Sequence, residues 1–108
     1  MSEAFERIKQ LIAEGNYSFS DHAYEEMQKD DILPHELTEG AQSSILVEDY
    51  PTAHRGPTIL IYCKGIDARP LHAVWGIPKL YPDRVVLVTA YRPSADEWSE
   101  DFLRRSKP

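Results

Sequence analysis

The sequence predicts an α+β fold: N-terminal helices packed on a four-stranded antiparallel β-sheet, followed by a C-terminal helix. Three observations predict it. Apolar residues recur at spacings of three and four in the first third of the chain. From Ile45 to Tyr91, β-rich runs alternate with short connections, and consecutive strands joined this way favour an antiparallel meander. The segment 95–104 follows Ser94, opens with Asp96 and Glu97, and leads into Arg104 and Arg105, a charge order that suits a helix. With 108 residues, the chain is expected to be a single domain, 1–108, with one core that needs no disulfide.

Ser2 is placed to cap a first helix whose inner stripe is Phe5, Ile8, Leu11 and Ile12, with Gly15 as its stop. Residues 16–19 read as a link whose Tyr17 and Phe19 turn inward. Ser20 or Asp21 caps a second helix to about residue 29, with Ala23 and Met27 inside. His22 lies beside that stripe, within reach of Glu25 or Glu26. Asp30 and Asp31 put two carboxylates at the negative end of this helix, which is electrostatically unfavourable. Pro34 fits the first turn of a third helix, with Glu36 near its start. That helix ends near Ser43, and Gly40 weakens its last part. Strands are predicted over 45–50, 58–63, 70–77 and 84–91. The loop 51–57 contains His54, Arg55 and Gly56, and the turn 64–68 contains Gly65 and Asp67. Trp98 and Phe102 are expected to dock the last helix on the sheet.

Composition narrows the function classes. Twelve basic and 18 acidic residues give a net charge of −6, so the broad basic footprint of a tight nucleic-acid binder is missing and only a local basic patch remains open. No run approaches the roughly 20 apolar residues of a membrane span. The N-terminus has no apolar signal core. A cytoplasmic protein without membrane contact is the expectation. The single cysteine, Cys63, excludes an internal disulfide and a multi-cysteine metal site, and reads as a packed small hydrophobe. The four histidines show neither HxH nor HxxxH spacing, so no metal and no cofactor is expected.

The candidate chemistry lies in the last hairpin. If the hairpin is symmetric about residues 78–83, Ile77 faces Arg84 and His72 faces Thr89. Thr89 and Tyr91 then share the face of His72, with Arg69 just outside the strand end. A slip of one residue would destroy this pairing. His72 can act as a general acid or base, because its reference pKa is about 6.5. Tyr91 can donate a hydrogen bond or stack on a base. Arg69 and Arg92 can meet a phosphate. Such a kit suits metal-independent RNA cleavage, with His22 as a second candidate if its helix packs near the strand ends. The plainer reading stands beside it. A histidine in a strand is commonly a satisfied structural residue, Thr89 and Tyr91 are ordinary strand residues, and His35 and His54 look exposed.

Three stretches also carry a resemblance: SDHAYEEM in the second helix, RPLHAVWG in the third strand, and VVLVTAYRPSADEW from the fourth strand onward. Together, over roughly Tyr17 to Trp98, they resemble the bacterial family catalogued as domain of unknown function 4258. That family has a His-Ala-x-x-Arg-Met signature, a strand with a central histidine, and a Thr-x-Tyr-x-Pro strand end followed by a Trp. The resemblance implies a fold like the RelE-like and barnase-like ribonuclease toxins and, for some relatives, a small antitoxin partner. The matching positions are His22, Arg69, His72, Thr89, Tyr91 and Trp98. Two departures replace basic residues with acids: Glu26 where the family usually has arginine, and Lys29-Asp30-Asp31 where it often has Glu-Arg-Gly. For a polyanionic substrate that is a charge reversal at close range.

Three function classes follow. The first is a metal-independent ribonuclease or toxin-type protein, with His22, Arg69, His72 and Tyr91 catalytic and Arg92 and Thr89 binding. Its partners would be RNA and a small antitoxin-like protein, and a homodimer is left open. The second is a non-catalytic binding or regulatory module on the same fold. The third is a small-molecule enzyme using the same pocket.

Overall fold

In the computed structural model, which describes residues 2–106, the Ser2 hydroxyl accepts the Phe5 N–H at 3.0 Å and starts α1 (Glu3–Ala13). Ile8, Leu11 and Ile12 are buried along its inner side. The chain leaves this helix through Gly15, whose φ of 81° lies in the left-handed region that glycine enters without strain. Residues 17–19 are not a link but a strand, β1 (Tyr17–Phe19), paired in parallel with the last strand. Three residues carry too little alternation to reveal a strand whose partner is Val85–Leu87. The Ser20 hydroxyl then accepts the Ala23 N–H at 3.0 Å and caps α2 (Asp21–Lys29). Pro34 opens α3 (Pro34–Gln42), whose Glu36 carboxylate turns back to accept the Leu33 N–H at 2.8 Å. Gly40 is a packing requirement rather than a weak point: a Cβ there would lie 2.7 Å from the Cys63 sulfur.

The sheet has five strands, not the expected four, in the order β1-β5-β4-β3-β2. Here β2 is Ile45–Tyr50, β3 Thr58–Lys64, β4 Pro70–Gly76 and β5 Val85–Tyr91. The last four form the antiparallel meander read from their short connections. One face meets the helices. Ile59, Ile61, Leu71, Trp75, Val85 and Leu87 pack there with Ile8, Leu11, Met27 and Leu37 into one core. The other, outer face carries Leu60, Tyr62, His72, Val74 and Tyr91, the cross-strand partners that alternate with the core positions.

The helix expected over 95–104 does not form. Ser94 starts one turn, its carbonyl accepting the N–H groups of Glu97 and Trp98. Side chains then capture the backbone: Asp101 accepts the Leu103 N–H at 3.1 Å and Ser99 accepts the Arg104 N–H at 3.2 Å. Phe102 takes a left-handed φ of 61°. Local side-chain bonds of this kind compete directly with helical ones. The segment becomes a strap folded back on itself, with Trp98 and Arg105 joined in an antiparallel bridge. Among the described residues no helix is long and apolar enough to cross a membrane.

Candidate functional site

The strap reaches the outer face over His72. This histidine pairs with Tyr91, and Val74 pairs with Thr89. The symmetric register, in which His72 opposed Thr89, is therefore wrong by two positions. Near the hairpin tip Gly76 faces Val86, one position off symmetry, and a bulge between Val74 and Trp75 in the ladder adds the second. Each single shift would turn every later side chain of β5 to the opposite face, and two shifts restore it. His72, Thr89 and Tyr91 therefore do share a face.

His72 is 0% exposed. Its Nε2 lies 2.8 Å from the Phe102 carbonyl oxygen, and its Nδ1 lies 3.3 Å from the Tyr91 hydroxyl. A carbonyl only accepts, so Nε2 carries the proton, and the neutral Nδ1 accepts the Tyr91 O–H. The ring is walled by Trp98, with centroids 4.3 Å apart at 87°, and by Tyr62 at 6.0 Å. Phe102 stacks on Tyr62. Burial pushes the His72 pKa below its ordinary value; the Phe102 carbonyl and Glu48 pull the other way without cancelling it. Burial likewise pushes the Tyr91 hydroxyl up. In this arrangement both partners are neutral, and the imidazole has no free nitrogen to offer a substrate.

The strap is pinned at its far end by charge. Arg105 donates from Nε and Nη2 to the two oxygens of Glu48 at 2.9 and 3.0 Å, and lies over the Trp98 ring. The Tyr50 hydroxyl donates to the same carboxylate at 2.6 Å. Arg105 holds the Glu48 carboxyl below the ordinary range.

The remaining candidates lie elsewhere. His22 is exposed on α2, in the layer that packs against the opposite face, and Glu26 pairs with Lys29 at 2.9 Å instead of with His22. Arg69 is exposed at the start of β4. Thr89 is half-buried, two residue pairs along the ladder from His72.

Arg92 is engaged internally. Its guanidinium donates to the carbonyls of Asp30, Pro70 and Asp31 and to the Glu36 carboxylate at 3.3 Å, so four of its N–H bonds serve the fold. Its backbone N–H donates to the Asp30 carboxylate at 2.8 Å. These bonds resolve the unfavourable end expected for α2, since a cation and an N–H meet the carbonyls and carboxylate there. Glu36, 4% exposed, is the buried hub of this corner. Burial would push its carboxyl up, yet the N–H groups of Leu33 and Ile66 and the Arg92 guanidinium hold it below the ordinary range. Sequence reasoning gave Glu36 only a helix-start role. Neither did it find the Phe102 carbonyl as partner to His72, because backbone acceptors leave no trace in residue identity. Cys63 is packed as expected, and burial pushes its thiol up to about 11, which keeps it unreactive. No group of His, Cys, Asp and Glu among the described residues is arranged to hold a metal ion.

A family model described as "Domain of unknown function (DUF4258)" matches residues 19–92. The match runs from the end of β1 to Arg92 and stops before the strap that covers His72. No curated protein and no solved structure matches the chain.

Proposed function

The chain belongs to the DUF4258 family, and on that premise we propose that it is a binding module in which His72 is structural rather than catalytic. The observation that carries this reading is the closure of His72: a fully buried ring whose two nitrogens bond Tyr91 and the strap. General acid–base catalysis needs a group within hydrogen-bond reach of substrate, and here that reach ends on the protein itself. The engagement of Arg92 and the net charge of −6 favour the same reading, since neither suits a polyanion. The test is incubation of the full chain with a mixed-sequence RNA in the presence of a chelator. No cleavage above a protein-free control is expected, for the wild type or for Tyr91→Phe. Cleavage by the wild type that is lost in Tyr91→Phe, with circular dichroism unchanged, overturns the reading.

A second reading is favoured by one observation, the contact between His72 and Tyr91 on a single face. It is a metal-independent ribonuclease of RelE-like or barnase-like type, with RNA as substrate, a small antitoxin-like protein as partner, and Arg69, at the start of the same strand as His72, as the cation; His22, on the helix side of the sheet, has no part in it. It requires the strap to leave the outer face. Removal of residues 94–108 would then produce RNA cleavage that the full chain lacks.

A further inference from the structure

The outer face has a second half that the strap does not reach. Towards the β4–β5 connection, Thr58, Gly76, Ile77, Val86, Val88 and Arg55 line a cavity of about 280 Å³. Small-molecule sites start at about 300 Å³ and pair an apolar lining with a few placed polar groups. This cavity has that composition.

Arg55 is held in place by its backbone. The Ile77 N–H donates to the Pro57 carbonyl at 2.9 Å, and the Lys79 N–H donates to the Arg55 carbonyl at 3.0 Å. Gly56 lies between these two bonds at a φ of 133°, and a Cβ there would run into the Ile77 carbonyl oxygen. Only glycine lets the 51–57 loop approach the strand end so closely. The Arg55 side chain takes part in none of the four ion pairs among the described residues. In a chain with 18 acidic and 12 basic residues, the cavity is lined by no Asp or Glu, and its one charge is positive.

We propose that this cavity binds a small monocarboxylic acid with an apolar body, its carboxylate held by Arg55 and its body lying on Val86 and Val88. A guanidinium fork matches a carboxylate with two parallel hydrogen bonds. One cation balances one negative charge. A phosphate dianion needs more donors than a single side chain supplies, and an amine is repelled. The site deepens the binding-module reading and rests on it.

The test is titration of phenylacetate into the full chain labelled with ¹⁵N. Saturable shifts are expected at the amides of Gly76, Ile77, Val86 and Val88. Arg55→Gln should weaken binding at least about tenfold, through loss of a charge-assisted pair. Val88→Trp, which fills the cavity, should abolish binding. Phenethylamine and inorganic phosphate should produce no saturable shift. Equal affinity in Arg55→Gln, equal shifts with phenethylamine, or no saturable change at these amides overturns the proposal. RNA cleavage is assayed on the same samples. Phenylacetate binding together with cleavage would keep the cavity and remove the non-catalytic reading.

Discussion

The two halves of the outer face are built from the same strands and have opposite fates. At one end, Tyr62, His72 and Tyr91 lie under Trp98 and Phe102, and every polar atom of His72 is engaged. At the other, Gly76, Val86 and Val88 line an open cavity with Arg55, which joins no ion pair among the described residues. The closed half carries the residues that look chemical, and the open half carries almost none. Polar residues inside a strand therefore do not by themselves mark a site. What covers them decides whether they hold the fold together or face a ligand.

The largest expected effects separate the halves by stability. Trp98→Ala removes the wall of the closed half and should cost about 3–5 kcal/mol in urea unfolding. Val88→Ala, in the open half, should cost under about 1 kcal/mol. Similar losses in the two variants would remove the distinction. Arg92→Met, at the closed end of β5, leaves Glu36 buried without its cation and should cost about 3 kcal/mol or more. A loss near zero would free Arg92 for a role towards a ligand.

A smaller effect appears with pH. Burial lowers the pKa of His72 in the folded state, so between that value and about 6.5 the unfolded chain binds more protons. Stability should therefore be complete above pH 7, fall as the pH drops through 6.5, and stop falling from this cause below the folded pKa. His72→Gln should flatten that window, and an unchanged slope would place the titrating group elsewhere. The smallest effect belongs to Glu48→Gln. The pair with Arg105 is partly exposed, so about 1 kcal/mol or less is expected, and high salt should erase most of it.

The legible and illegible parts of the chain divide along the range of the interactions. The caps at Ser2 and Ser20, the stripe of α1 and the meander of β2 to β5 rest on neighbours in sequence, and they were readable. The strand β1 depends on a partner at Val85–Leu87 and was not. In the 95–104 segment a favourable charge order was present, but Ser99 and Asp101 captured the backbone first. The common face of His72 and Tyr91 was reached through a register that was wrong twice, in ways that cancelled. The closure of His72 was invisible because it depends on a backbone carbonyl thirty residues away. The open cavity had one readable sign, Gly56 beside Arg55, but only the fold brings that pair against Ile77.

The state of the His72 ring tests the account most directly. Long-range ¹H–¹⁵N spectra of the full chain should show a neutral imidazole protonated at Nε2, bonded to Phe102, with a titration midpoint below about 6.5. A ring protonated at Nδ1, or one that titrates at or above 6.5 like an exposed histidine, would mean that the strap does not close the face, and the contrast between the two halves would be lost.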